Sequence, residues 1–248
     1  MLPVLLLAAA AFLAGALNAV AGGGTFLTFP ALVFLGVPPV PANATSTVAV
    51  LPGYIGSAIA FRRDVGPVQG VGLAGLTAVS LAGGVAGAVL LLVTPSSVFR
   101  GAVPWLLLLA TLLFAAGPRI VLWLRSRGGT GAGRGAVFAT VFAVSVYGGY
   151  FNGGLGILLL AAFSLLGLGD LNRMNGLKNL LSAVLSVIAA ATFAVAGIVA
   201  WREAAIMAVA ATLGGYLGAR IARRIPADRL RAGIVAVGLV MSALFFAT

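Results

Sequence analysis

The stretch Ala21-Gly22-Gly23-Gly24-Thr25 interrupts an apolar sequence close to the N-terminus. A second glycine-rich stretch, Asn152-Gly153-Gly154-Leu155-Gly156, interrupts another apolar sequence 131 residues later. The apolar segments that follow, 25–37 and 155–168, have about 13 residues each, and as helices at 1.5 Å per residue they span roughly 20 Å. Because a bilayer core is about 30 Å thick, we predict that both glycine stretches are breaks inside a membrane, each at the tip of a hairpin that enters and returns on one side.

The whole chain is predominantly apolar, since 62% of its 248 residues are hydrophobic and 8% are charged. Soluble domains have about 25% charged residues. The segment from Met1 to Ala19 lacks the basic region of a signal peptide, so we expect it to be a mature helix. The composition predicts an all-α integral membrane protein, with about eight full transmembrane helices plus glycine-broken short or re-entrant segments. Its ten apolar segments lie at 3–20, 25–37, 42–61, 68–93, 98–124, 135–151, 155–168, 174–200, 203–222 and 229–247.

The chain has no cysteine and no histidine. This excludes disulfides, the common zinc and haem sites, and the usual Ser-His and Cys-His catalytic arrangements. The four acidic residues, Asp64, Asp170, Glu203 and Asp228, all map to segment ends or loops, so no core carboxylate is predicted to relay protons. We therefore predict no catalytic residue, no metal and no cofactor, and a protein that is not an enzyme.

A shift of 131 residues superimposes features of the second half on the first. The aligned positions are Gly22-Gly23 with Gly153-Gly154, Gly36 with Gly167, Gly83-Gly84 with Gly214-Gly215, Gly87-Ala88 with Gly218-Ala219, Pro95 with Pro226, Arg100 with Arg231 and Phe114 with Phe245. One shared register predicts two transmembrane repeats, 1–124 and 135–248, joined by a basic cytoplasmic linker at 125–134 into one integrated membrane domain. Because each repeat has five segments, the second repeat would be inverted relative to the first.

The formal net charge of +11 is concentrated in short gaps between apolar segments, which is typical of loops that meet lipid headgroups rather than of nucleic-acid binding. With the linker inside the cell, only Arg100 and Arg202 lie outside, and both chain ends are outside. This asymmetry predicts a multi-pass protein of a bacterial inner membrane, with membrane lipids as partners; a homo-oligomer is left open. The basic residues assigned inside are Arg62, Arg63, Arg119, Arg125, Arg127, Arg134, Arg173, Lys178, Arg220, Arg223, Arg224, Arg229 and Arg231.

A helix that starts directly after a buried break directs its free N–H groups and positive dipole end at whatever lies there, which favours an anion. Two such starts from opposite faces would frame one small anion at the midplane; the alternative is that the glycines only permit close helix packing. Lys178 is either a counter-charge to the substrate or an interface anchor. The predicted substrate-binding residues are Asn18, Gly22, Gly23, Gly24, Thr25, Phe26, Thr45, Ser46, Asn152, Gly153, Gly154, Gly156, Asn175, Lys178 and Asn179.

The first motif of the TauE/SafE family of sulfite exporters resembles Ala21-Gly22-Gly23-Gly24-Thr25-Phe26-Leu27-Thr28-Phe29-Pro30-Ala31-Leu32, followed by Asn43-Ala44-Thr45-Ser46. The family's second motif is similar to Asn152-Gly153-Gly154-Leu155-Gly156, followed by Asn175-Gly176-Leu177-Lys178-Asn179. The chain departs from the pattern at Leu155, which stands inside the second glycine motif, and at Ala161, which stands where the first half has Pro30. The resemblance covers nearly the whole chain and implies a transporter of sulfite, organosulfonates or related small anions, carboxylates included, across a bacterial cytoplasmic membrane.

Three functions are consistent with this sequence. The first is a secondary transporter that exports an anion by alternating access, and the second is an anion channel with a continuous pore. The third is a membrane scaffold that transports nothing. An anion that leaves a cell with a negative interior gains about 2.3 kcal/mol per charge per 100 mV, so export needs no proton carrier in the protein.

Overall fold

A computed structural model of the chain describes residues 2–20, 24–126, 133–222 and 227–247. Within these ranges the structure is helical, with one isolated β-bridge between Val68 and Val71. The helices are α1 (Leu2–Val20), α2 (Thr25–Phe34), α3 (Pro39–Ala60), α4 (Leu73–Val93), α5 (Ser96–Ser126), α6 (Arg134–Tyr150), α7 (Leu155–Leu165), α8 (Leu171–Val195), α9 (Trp201–Ala222) and α10 (Ala227–Phe246). These bounds confirm the ten predicted helical segments.

Two boundaries differ from the prediction by five residues, and both have a local cause. Helix α4 begins at Leu73 rather than at 68 because the preceding residues form a tight turn, with φ of 45° at Gln69 and 78° at Gly70. Helix α8 ends at Val195 rather than at 200 because Gly197 adopts φ of 71°, and the Ile198 N–H returns to the carbonyl of Phe193. A left-handed glycine followed by this backbone bond ends a helix.

Three of the described helical segments are long and apolar enough to cross a membrane, namely Leu73–Val93, Ser96–Gly117 and Asn172–Val195. Large apolar side chains are also exposed on the outer surface of the bundle, as at Phe34 and Val195. In water such a surface would be unfavourable, whereas lipid tails solvate it. The helices and their apolar exterior identify an all-α membrane protein.

Helices of the two halves pack on each other rather than only within one half. Helix α1 packs on α9 and α4 on α6; α3 packs on α9 and α4 packs on α8; α2 packs on α10 and α5 packs on α7. Each of these pairs becomes its counterpart when α1–α5 are exchanged for α6–α10, and the pairs α3 with α8 and α5 with α10 map onto themselves. The short helices α2 and α7 lie inside this arrangement.

Glycines allow two of these helix pairs to approach closely. A Cβ atom on Gly214 would collide with the backbone carbonyl of Phe12 in the α1–α9 pair. In the α4–α6 pair, a Cβ on Gly83 would lie 2.8 Å from the carbonyl oxygen of Phe142. Since 214 and 83 differ by 131 and 12 and 142 by 130, the two interfaces use equivalent positions.

The short helices end with the same backbone motif. Gly36 after α2 has φ of 87°, and Gly167 after α7 has φ of 82°. The next N–H returns to a carbonyl five residues earlier in both cases, from Val37 to Leu32 and from Leu168 to Phe163. Only glycine adopts this conformation without strain. The sequence match between Gly36 and Gly167 therefore corresponds to a shared local structure.

Candidate functional site

The first glycine turn lies between α1 and α2. Gly22 and Gly23, both predicted ligands, lie outside the described residues. Gly24 is buried and precedes α2; its N–H donates to the Asn18 side-chain oxygen at 2.8 Å. A Cβ on Gly24 would lie 2.8 Å from the carbonyl oxygen of Ala14, so only glycine fits there. Two predicted ligands, Asn18 and the Gly24 N–H, are thus paired with each other and close the turn.

The first residues of α2 are buried. Thr25 is 2% exposed, and its hydroxyl has no hydrogen-bond partner among the described residues. Phe26, a predicted contact, is also buried. A buried hydroxyl that forms no bond costs about 1–3 kcal/mol relative to a bonded one. Thr25 therefore has an unused donor at the start of a helix, where the dipole is positive.

A second group of polar side chains lies in the first two turns of α3. The hydroxyls of Ser46 and Thr28 lie 2.6 Å apart and join α3 to α2. Thr45 accepts from the N–H of Ala200 at 3.0 Å, which joins α3 to the connection before α9. Asn43 donates to the carbonyl of Tyr150 at 3.0 Å, while its own side-chain oxygen is buried without a partner.

The second glycine turn lies between α6 and α7. Gly154 directly precedes α7 and has φ of 73°, which is unstrained only for glycine. The Gly153 carbonyl accepts from the Tyr147 hydroxyl at 2.6 Å. Asn152 is 3% exposed; its amide nitrogen lies 3.3 Å from the Ser186 hydroxyl, and its oxygen has no partner. As in the first turn, a buried polar side chain with unused capacity lies next to a helix start.

Lys178 lies on α8 beside the start of α7. Its Cδ atom is 3.4 Å from the position that a Cβ on Gly156 would occupy, so the lysine stem packs against this glycine. The side chain is half-buried. Asn179 on the same helix is buried, and Asn175 is half-buried. Gly156 thus provides the space in which the only lysine of the chain lies against α7.

Aromatic and amide contacts bring the two halves together near the second turn. The rings of Phe29 on α2 and Phe151 before the second turn meet edge to face, with centroids 5.8 Å apart. The bond from Asn43 to Tyr150 lies one residue further back along the chain. The polar start of α3 and helix α2 therefore adjoin the residues that lead into Asn152.

Two residues of this region, Tyr147 and Ser186, were not predicted. Ser186 follows Lys178, Asn179 and Ser182 on α8 at spacings of three to four residues, which place these side chains on one face of the helix. A polar face on an otherwise apolar membrane helix is the signal that could have identified Ser186. Tyr147 bonds to a backbone carbonyl, and no residue type marks such a partner in a sequence.

The chain matches the family model described as "Sulfite exporter TauE/SafE" over residues 7–245. It belongs to the TauE/SafE family. It is 31% identical to the probable membrane transporter protein YfcA of Escherichia coli (strain K12) over 94% of this chain and 86% of YfcA. It is 28% identical to the probable membrane transporter protein ORF9 of Sinorhizobium sp, over 94% of this chain and 88% of ORF9. The family and these names indicate a membrane transporter rather than an enzyme; no solved structure matches the chain.

Proposed function

We propose that this TauE/SafE protein exports small anions, such as sulfite, organosulfonates or related carboxylates, across the bacterial inner membrane. Transport would proceed by alternating access around an anion site between the starts of α2 and α7. The central linker would be cytoplasmic and both chain ends external. The family description supports the substrate class. The helix starts and polar side chains described above support the location of the site.

The main observation in support is the pair of buried, incompletely bonded side chains at the two helix starts, Thr25 and Asn152. The Thr25 hydroxyl can donate to an anion. If the Asn152 amide is turned over, its oxygen accepts from Ser186 and its NH2 group becomes free to donate. A sulfite or sulfonate group has three oxygens and can accept from several donors at once. Bonds to such a ligand would satisfy groups that the fold leaves unsatisfied.

Lys178 would supply positive charge to the same site. Its stem already lies against Gly156 in the first turn of α7. An ammonium group beside a helix N-terminus is stabilised by an anion bound between them, because the dipole alone repels it. Among the main-chain donors, the N–H groups of Gly24 and Ile157 are already bonded, to Asn18 and to the Gly154 carbonyl. The side chains therefore have a larger role than the main chain in this proposal.

The two halves would be inverted repeats that move relative to each other. The exchange of α1–α5 for α6–α10 in the helix contacts supports this symmetry. The equivalent closures at Gly36 and Gly167 support it independently. Inverted repeats allow one half to adopt the conformation of the other, and this exchange exposes a central site to each side in turn.

The test is sulfite or methanesulfonate flux into proteoliposomes, together with the binding of each anion to purified protein. We expect saturable flux in the wild type. In Thr25→Val we expect binding weakened about ten- to hundredfold, because a bond to a charged group contributes about 1.5–3 kcal/mol, while thermal stability stays equal or rises, because a buried unbonded hydroxyl is removed. Lys178→Met should also weaken binding, and Lys178→Arg should restore part of it.

Thr212→Val is the matched control, because Thr212 is exposed and its hydroxyl bonds only to the Ala208 carbonyl of its own helix. Flux that does not saturate would favour the channel over the transporter. Normal flux in both Thr25→Val and Lys178→Met would contradict the site. Absence of any anion flux in the wild type would favour the scaffold.

A further inference from the structure

Two neighbouring cavities lie at the end of the bundle opposite the central linker. One, of about 420 Å³, lies between the end of α2 and the end of α10, and the other, of about 610 Å³, lies between the start of α5 and the end of α10. Arg100 and Phe245 line both cavities. Helix α5 runs 31 residues from this end to the linker, so the cavities and the linker are separated by roughly 46 Å along the helix.

Arg100 is the charged residue of these cavities. It is exposed in the first turns of α5 and forms no hydrogen bond or ion pair with any described residue. None of the four acidic residues of the chain lines either cavity, whereas the hydroxyl residues Ser96 and Ser97 line the larger one. The lining therefore has one uncompensated positive charge with five N–H donors. An oxyanion is the ligand that this chemistry fits.

Arg202 provides a comparison on the other predicted external position. It is also exposed in the first turn of its helix, α9. It differs in two ways, since Glu203 is its neighbour in sequence and it lines neither cavity. An exposed arginine near this membrane face is thus not by itself the basis of the inference.

Aromatic rings connect the cavities to the candidate anion site. Phe245, in the cavity wall, stacks on Phe29 with centroids 5.9 Å apart and an interplanar angle of 19°. Phe29 is completely buried and meets Phe151 edge to face, and Phe151 directly precedes Asn152. Three rings in contact therefore fill the space between the wall of the Arg100 cavities and the second glycine turn.

We infer that the Arg100 cavities form the external port of the transport path, where a small oxyanion binds Arg100, and that Phe245, Phe29 and Phe151 close this port in the present conformation. This inference rests on the proposed function. The port is a second anion site, separate from the site at the helix starts. Its positive charge raises the local concentration of anions at the mouth of the path.

The kinetic test uses methanesulfonate flux from the external side of proteoliposomes. We expect Arg100→Gln to raise KM for external methanesulfonate about three- to tenfold at low salt, with little change in the maximal rate, and the difference to shrink as salt rises. Arg100→Lys should recover most of the affinity, and the matched control Arg202→Gln should resemble the wild type. Equal KM values for Arg100→Gln and Arg202→Gln would overturn the port while leaving the proposed function intact. A wild type that moves no anion would overturn both.

An anionic lipid headgroup has the same chemistry as a free oxyanion, and lipid composition separates the two. In vesicles of phosphatidylcholine alone, we expect the KM difference between the wild type and Arg100→Gln to persist. A difference that occurs only when phosphatidylglycerol is added would assign Arg100 to lipid binding and overturn the port.

Cysteine labelling tests the location directly, because the natural chain contains no cysteine. Val33→Cys places a thiol in the smaller cavity, and Trp201→Cys places one at an exposed position away from both cavities. We expect a membrane-impermeant maleimide to label both from outside, and methanesulfonate to slow labelling only at position 33. Adding Arg100→Gln should abolish this protection. Equal protection at both positions, or none at position 33, would overturn the inference.

Discussion

The Tyr147 hydroxyl donates to the Gly153 carbonyl at 2.6 Å, so the last turns of α6 support the glycine turn that follows them. In Tyr147→Phe this carbonyl would lose its partner in a buried position. We expect a loss of about 1–3 kcal/mol in the free energy of unfolding, measured by unfolding in detergent. Tyr150→Phe is the control in the same helix, because the Tyr150 hydroxyl has no hydrogen bond to any described residue. If both variants lose equal stability, the bond to Gly153 has no special structural role.

Gly154 and Gly156 lie two residues apart but should respond differently to alanine. Gly154 has φ of 73°, and a Cβ there would lie 3.2 Å from the Cβ of Ala110, so Gly154→Ala should cost about 1–2 kcal/mol or more and reduce transport. Gly156 is helical, and its Cβ would meet only the flexible Lys178 side chain at 3.4 Å. Gly156→Ala should keep or slightly raise stability. Thermal unfolding and flux measured on both variants check this, and the reverse order of stabilities would contradict the turn geometry.

The hydroxyl pair of Thr28 and Ser46 should be energetically coupled. Both side chains are buried, and their oxygens lie 2.6 Å apart across the α2–α3 contact. A double-mutant cycle with Thr28→Val and Ser46→Ala should give a coupling energy of about 0.5–3 kcal/mol in the free energy of unfolding. The same cycle between Thr28→Val and Thr212→Val should give additive losses. Additivity in the first cycle would mean that the hydroxyl pair does not join the helices.

The glycines of the two close helix interfaces should be equally intolerant of a methyl group. In Gly87→Ala the new Cβ would collide with the carbonyl of Val146, and in Gly214→Ala with that of Phe12. Because backbone atoms cannot move aside cheaply, each variant should lose at least 1–3 kcal/mol of stability or fail to fold. Gly56→Ala in α3 is the control, since no atom lies within 4 Å of its Cβ position. Stable folding of Gly87→Ala and Gly214→Ala would contradict the close approach.

The helices and their interruptions could be predicted from sequence, because apolar periodicity and glycine act locally. Gly36 and Gly167 illustrate this, since both the match between them and the helix ends that they form depend on a few neighbouring residues. The partners of the polar side chains could not be predicted. Asn18 was expected to bind substrate but pairs with Gly24, and Ser46 pairs with Thr28. Such pairings depend on the distances between helices, which no spacing within one helix determines. The roles of the fifteen predicted ligands stay predictions.

The two ends of the α3–α8 pair differ in stiffness. At one end Arg173 donates to the Pro67 carbonyl, Gln69 donates to the Leu166 carbonyl at 2.8 Å, and Asp64 lies against Gly176. At the other end the bond from Ala200 to Thr45 is the side-chain link found among the described residues. Separation of the halves therefore requires less bond breaking at the Thr45 end, and the Arg173 end acts as the pivot. A rocking motion would open this protein first on the side that faces away from the linker.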